Sequence, residues 1–207
     1  MASSSKIFVI IGAKGGLGAE IVKRLAEKSP DEVSEIRCLV RNPSAVPSDL
    51  LPTQDERVKV MHGDATKAST LKKPFKDAQA VFFAAQGQKY KGICEVDRDS
   101  CQIVADVALE QGVPRVLLVS SMLTDPRNRF ALTRMILNSP IITGFSGFCH
   151  RKGMMDLKFQ GENLLRQSGQ PYTIVRPGHL INGKLGQAQI LAGQTDFFSW
   201  RCEIYTG

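Results

Sequence analysis

The sequence has little of what would place it in several large classes. Only five of its 207 residues are cysteine (Cys38, Cys94, Cys101, Cys149 and Cys202). They are odd in number, widely spaced and without a C-x-x-C pair, which argues against a disulfide scaffold, a zinc site or a redox dithiol. Buried or incidental thiols are the expectation. No apolar run approaches the ~18 residues needed to cross a bilayer. The longest, such as 7–11 and 116–119, have the length of buried strands. There is no internal repeat and no low-complexity linker. Lys and Arg outnumber Asp and Glu by 27 to 20, a formal charge of +7, yet the basic residues are scattered and no aromatic-plus-basic RNA signature appears. Nucleic-acid binding therefore ranks last among the readings. The stretch ahead of Ile7 is shorter than the roughly 15–30 residues of a signal or transit peptide. The expected location is the cytoplasm, or a plastid if the chain is a mature organellar form.

What is present is a hydrophobic share of 43%, too high for a disordered chain and sufficient for one globular domain spanning 1–207. Apolar runs of strand length (7–11, 36–40, 58–61, 80–85, 116–119 and 172–175) alternate with amphipathic stretches of helix length. Several runs are continuously hydrophobic, as strands covered on both faces are. The expected fold class is α/β, a doubly wound parallel sheet of the Rossmann-like kind with helices on both faces. Leu17, Ile21, Val22 and Leu25 repeat at helical spacing until Ser29-Pro30; a second stripe runs from Val96 to Ala108 and stops at Gly112; a third runs from Met154 to Arg166. Two stretches are weaker. Asn42 to Pro52 is rich in proline where a second crossover helix would sit, and Asp125 to Phe148 has a helical part ahead of a Gly-rich turn.

The first strand runs into Gly12-Ala13-Lys14-Gly15-Gly16-Leu17-Gly18, and a helix begins inside this loop. A dinucleotide pyrophosphate needs backbone N–H groups, the positive end of a helix and glycine where a Cβ would block approach. Gly12 is expected to make the turn off the strand, Gly15 to admit the phosphates and Gly18 to let the helix pack on the sheet. The G-x-x-G-x-x-G spacing is a variant of the dinucleotide fingerprint, and it stands in the strand-to-helix context that the fingerprint requires. At the end of the second strand, the acidic residue that would accept from the ribose of NAD is missing; Arg41-Asn42 stands there instead. A guanidinium there suits a 2′-phosphate, and Lys14 adds a second positive charge, so NADP(H) is expected to be preferred over NAD(H).

Further segments extend the pattern: Leu39-Val40-Arg41-Asn42, Gly63-Asp64-Ala65-Thr66, Val81 to Gly87, Val119-Ser120-Ser121, Gly161 to Gly169 and Tyr172 to Gly178. With the glycine loop they make the chain resemble, over nearly its whole length, the atypical short-chain dehydrogenase/reductases of the NmrA-like, NAD(P)-binding type. The resemblance implies that Asp64 and Ala65 border the adenine and that Ala84, Ala85 and Gln86 line the adenosine ribose. It puts Ser120 and Ser121 beside the nicotinamide, with Pro177 and Gly178 walling that ring. Asp64 read alone is equally a helix N-cap, and the two serines equally satisfy backbone groups at a strand end.

Two departures from the wider superfamily bear on chemistry. Its members use a Tyr-x-x-x-Lys pair on one helical face, the lysine lowering the tyrosine's pKa and holding the ribose. Tyr90, Tyr172 and Tyr205 all lack a lysine at that spacing; Lys158 matches the lysine, and Met154 stands in the tyrosine's place. A thioether donates no proton. Lys158 either binds the ribose or pairs with Glu162 one turn away. Ser121, His150 and His179 fall near the expected nicotinamide, and either histidine is a candidate replacement acid. In addition, the substrate-side region after Gly183 looks shortened, the chain ending in Phe197 to Gly207. Two readings follow. One is an NADP(H)-dependent reductase passing hydride to a small acceptor such as a quinone or enone; the other is a non-catalytic NADP(H)-dependent redox sensor or assembly factor with a protein partner.

Overall fold

The computed structural model describes residues 6–139, 153–178, 180 and 193. Its strands are β1 (Ile7–Ile11), β2 (Glu35–Val40), β3 (Val58–His62), β4 (Ala78–Phe83), β5 (Val116–Val119) and β6 (Tyr172–Val175). Among the described residues they form one parallel sheet in the order β3-β2-β1-β4-β5-β6. That is the doubly wound, Rossmann-like order, and the direction of winding reverses between β1 and β4. Ile11 pairs with both Leu39 and Phe83, which brings the carboxyl ends of β1, β2 and β4 level at that crevice.

The continuous apolar runs are explained by burial on both faces. Val9, Ile11, Val81 and Phe83 point into one cluster, and Ile10, Ile36, Cys38 and Val40 into another on the opposite face. Helix α1 (Gly16–Ala26) covers the second cluster with Ala19 and Val22. The first cluster is covered by two helices. The short α2 (Lys72–Phe75) adds buried Phe75 beneath them. After β4 the chain enters α3 (Lys89–Gly92), widens into π-helical turns over Ile93–Asp99 and continues as α4 (Ser100–Glu110), which buries Val104, Ala105 and Ala108. Beyond β5 comes α5 (Leu132–Leu137) and then α6 (Met154–Gln167), which buries Met155, Leu157 and Leu165 at about 1% exposure each. Each of these three side chains contributes about 1.5–3 kcal/mol by leaving water.

The expected second crossover helix is absent. Residues 42–52 hold a single 3-10 turn, Pro43–Ala45, because Pro43, Pro47 and Pro52 remove the backbone donors that a helix would use. The helical part expected after Asp125 is the short α5. No helix among the described residues is long and apolar enough to cross a membrane.

Candidate functional site

The turn from β1 into α1 is built by glycines, of which Gly12 and Gly18 leave no room for a side chain. Gly12 has φ +85°, and a Cβ there would lie 2.8 Å from the Ala85 backbone. Its carbonyl accepts the Gly15 N–H at 2.9 Å, closing the loop. A Cβ on Gly18 would stand 2.2 Å from that same carbonyl oxygen, and one on Gly15 would stand 3.3 Å from it. Gly16 has nothing within 4 Å, so its open side faces outward. Ala13 is buried beneath the loop and Leu17 is half-buried, while Lys14, Gly15 and Gly16 are exposed. Helix α1 has neither a side-chain cap nor an acidic residue in its first turn. Its leading N–H groups and the positive end of its dipole are left for an anion. These features fit a dinucleotide's pyrophosphate.

The residues expected around the adenosine lie at the neighbouring strand ends. Arg41 follows β2 with its side chain exposed, and its carbonyl accepts from His62 Nδ1 at 3.0 Å. Asp64 follows β3 and closes a local turn, its Oδ1 accepting the N–H of Thr66 at 3.0 Å and its hydroxyl at 2.8 Å. No helix starts there, which corrects the N-cap reading; the same oxygen caps a turn instead. Burial alone would raise the Asp64 carboxyl, but the Thr66 bonds and the charges of Lys67 and Arg41 outweigh it and hold it below the usual value. Ala65 is buried in the first cluster. Ala84 donates its N–H to the Ile11 carbonyl at 3.0 Å, which ties the half-buried Ala84-Ala85 segment to the glycine loop. Exposed Gln86 reaches across, its Nε2 3.7 Å from Met154 Sδ.

At the other end of the crevice, Met154, Lys158 and Glu162 recur at four-residue spacing on one face of α6. Met154 therefore stands beside the β4 loop through Gln86. Lys158 does not pair with Glu162. Its Nζ lies 2.5 Å from Asp97 Oδ1, with the two side chains 10% and 2% exposed. Glu162, wholly buried, is already engaged by two arginines. Arg166 donates to it at 2.9 Å, and Arg176 at 3.0 Å through Nε and again through its second nitrogen. Ser120 donates its hydroxyl to Glu162 Oε1 at 2.6 Å, and Thr124 does so at 3.2 Å. The Ser120 side chain is thus held by a carboxylate rather than by strand-end backbone; its N–H donates to the Val175 carbonyl at 2.8 Å. Burial would push the Glu162 carboxyl up, but the bonds from Arg176, Ser120 and Arg166 bring it below its ordinary value.

Ser121 is half-buried just beyond. Pro177 accepts the Met122 N–H at 3.0 Å, and Gly178 lies against Met122, where a Cβ would be 3.3 Å from the sulfur. Phe83, Ala85, Asp97, Ser120 and Lys158 line a small pocket between these ends. Cys101 also lines it, a thiol that burial pushes up to about 12. His150 and His179 lie outside the described residues, as do Cys149, Cys202 and all but Gly193 of the segment after Leu180.

Residues 12–203 match the family model described as NAD(P)H-binding. The chain belongs to this NAD(P)H-binding family. No curated protein matches its sequence. Among solved structures, this NAD(P)H-binding chain is similar to the oxidoreductase ylbE from Lactococcus lactis, with 20% identity, a TM-score of 0.69, and 87% of this chain and 73% of that one covered. It is similar to a wide-type short-chain dehydrogenase/reductase from Veillonella parvula in complex with NADP, at 19% identity and a TM-score of 0.66 over 93% of this chain and 78% of that one. It is also similar to ChuY, the anaerobilin reductase of Escherichia coli O157:H7, at 24% identity and a TM-score of 0.63 over 91% and 81%. These likenesses are of fold, and they agree with the doubly wound, Rossmann-like sheet order.

Sequence reasoning about this NAD(P)H-binding protein named Glu162 only as an alternative partner of Lys158; it missed Asp97 as the partner of Lys158, and Glu162 as the acceptor for Ser120 and Arg176. Asp97 stands among Glu95, Arg98 and Asp99, and Glu162 one turn from both Lys158 and Arg166, so the sequence does not mark either carboxylate as buried. The partner's identity was not legible, because Lys158 reaches an acid 61 positions away.

Proposed function

We propose that the chain is one NmrA-like dinucleotide-binding domain that prefers NADP(H) and transfers hydride to a small acceptor such as a quinone or enone. The observation that carries the reading is the glycine cradle, closed to any Cβ at Gly12 and Gly18 and facing an uncapped helix end. Gly15, Gly16, Leu17 and Gly18 would hold the pyrophosphate, with Ala13 shaping the loop from beneath. Lys14 and Arg41, both exposed at this end of the sheet, would take the 2′-phosphate. Asp64, Ala65, Ala84, Ala85 and Gln86 would surround the adenosine; Ser120, Lys158, Pro177 and Gly178 would border the nicotinamide. A bound nicotinamide supplies the hydride. The protein's own part is orientation and exclusion of water, and an acceptor whose reduction needs little proton donation matches a site with Met154 in the tyrosine's place. Ser121, with His150 and His179 from outside the described residues, remains the candidate for hydrogen bonding to the acceptor. That an NADP(H)-complexed triphenylmethane reductase from Citrobacter shares the fold, at 23% identity and a TM-score of 0.58 over 83% of this chain and 48% of that one, supports this reading.

The second reading, a non-catalytic NADP(H) sensor acting on a protein partner, is favoured by one observation. Met154 spends its place on a contact with Gln86, and the hydroxyl of Ser120 is committed to Glu162. One experiment separates the two. Purified protein is mixed with NADPH and a panel of quinones and enones while cofactor absorbance is followed. Turnover supports the reductase; NADPH binding with no oxidation across the panel supports the sensor. Fluorescence titration tests the cofactor choice. Arg41→Ala is expected to weaken NADPH by about tenfold, the loss of one charge-assisted bond, and to leave NADH unchanged. Equal or tighter binding of NADH to the unaltered protein refutes the NADP(H) preference.

A further inference from the structure

All three oxygens of Asp97 are engaged around one end of the crevice. Its side chain, 2% exposed, lies in the π-helical turns Ile93–Asp99. Oδ1 takes Lys158 Nζ at 2.5 Å, and Oδ2 takes the Gly87 N–H at 2.8 Å. Gly87 directly follows Ala84-Ala85-Gln86. Asp97's backbone carbonyl faces α6 so closely that a Cβ on Gly161 would fall 2.1 Å from it, and the Cys101 thiol leans on the same oxygen at 3.5 Å. One residue therefore fixes α6, the β4 loop and the ammonium together. A π-helical widening at this point lets the carboxylate reach between them, a distortion that costs regular hydrogen bonding and marks functional segments.

The ammonium has three N–H groups. Asp97 accepts from it, and no other acceptor for it is found among the described residues, although the side chain is only 10% exposed and lines the small pocket. The N–H groups left over on this nearly buried ammonium are free to serve an acceptor that a ligand or a water brings into the pocket. We propose that Asp97 is a positioning residue that aims the Lys158 ammonium and the 84–87 turn at the nicotinamide half of the bound dinucleotide. This rests on the dinucleotide reading above. It gives Asp97 a role distinct from the glycine loop and Arg41, which serve the adenosine and phosphate half. Lys158 is then oriented by a carboxylate on a different helix, not by the residue one turn from it.

The test compares two ligands, NADPH and its adenosine half 2′,5′-ADP, in the full chain. Affinities come from calorimetry and folding from circular dichroism. Asp97→Asn keeps the shape and leaves the ammonium without its counter-charge. It is expected to weaken NADPH by about tenfold or more, the loss of a charged hydrogen bond, while 2′,5′-ADP changes less than twofold. Asp97→Glu is expected to recover part of the difference. A general loss of structure would lower both affinities alike, and equal effects on the two ligands overturn the proposal, as does no effect on either. If Asp97→Asn does not fold, Asp97→Glu carries the same comparison, because it keeps the counter-charge and the ammonium while displacing both. Unaltered protein that binds neither ligand refutes the dinucleotide reading and this role with it. Unaltered protein that binds both, with no ligand-selective loss in the variants, refutes Asp97's role alone.

Discussion

Replacing Glu162 by glutamine is the sharpest single test of how the crevice is held. The carboxylate has no exposed surface and accepts from Ser120 at 2.6 Å, Thr124 at 3.2 Å, Arg166 at 2.9 Å and Arg176 at 3.0 Å. A carboxylate only accepts, and all these partners donate. An amide keeps one acceptor and turns its other end into a donor; the Ser120 and Thr124 hydroxyls can rotate to accept from it, but the guanidinium groups of Arg166 and Arg176 only donate and lose their counter-charge. Breaking a buried pair by neutralising one member costs about 3–5 kcal/mol. Arg166 and Arg176 retain 32% and 19% of their side-chain exposure, so water recovers part of that, and about 2–4 kcal/mol is the expected loss. For a chain of this size that corresponds to a drop in Tm of roughly 5–15 °C. Thermal and urea unfolding followed by circular dichroism measure it. A Glu162→Gln protein within 0.5 kcal/mol of the original would show that the buried network does not hold α6 to β5 and the chain after β6, and the reasoning would fall.

Other outcomes follow from the same geometry. Gly18→Ala forces a Cβ to 2.2 Å from the Gly12 carbonyl, whereas Gly16→Ala meets nothing within 4 Å; the first should lower Tm and abolish measurable NADPH binding, and the second should leave Tm unchanged or slightly raised. Glu162 and Asp125 both titrate below their ordinary values when folded, Asp125 at about 2 because Arg127 bonds it. Their stabilisation is complete above the ordinary carboxylate range and is lost as pH falls through the folded values. Urea midpoints should therefore decline below about pH 4, less steeply in Glu162→Gln. Burial pushes the Cys38 and Cys101 thiols up to about 12. Alkylation of folded protein at pH 8 with peptide mapping should leave both unmodified while half-buried Cys94 reacts; modification of Cys101 ahead of Cys94 would contradict its burial.

The strands were legible because several are buried on both faces and read as unbroken apolar runs, although β3 carries exposed Lys59 and His62 and β6 is exposed at Tyr172 and Val175. β1, β5 and β6 match their runs residue for residue, and β4 begins two residues earlier than its run and stops short of Ala84-Ala85, which turn away to meet the glycine loop. The glycine loop was legible because local sterics decide it. The opposite end was only half legible. Met154 and Lys158 could be placed on one face from their spacing, but the partner of Lys158 is set by how α6 crosses the π-helical turns, a packing fact with Gly161 at its contact point. The missing second crossover helix was foreshadowed by its prolines.

The sheet keeps its two apolar clusters apart, and each seats a different helix at the crevice. Helix α1, which presents the glycine loop, seats its Ala19 and Val22 in the cluster of Ile10, Ile36 and Cys38, whereas α6, which presents Met154 and Lys158, seats Leu165 in the cluster of Val9, Phe83 and Leu118. Repacking beneath one helix can therefore retune the residues it presents and leave the other helix as it was. The two helices are open to independent drift and to independent engineering, with the strands as the partition between them.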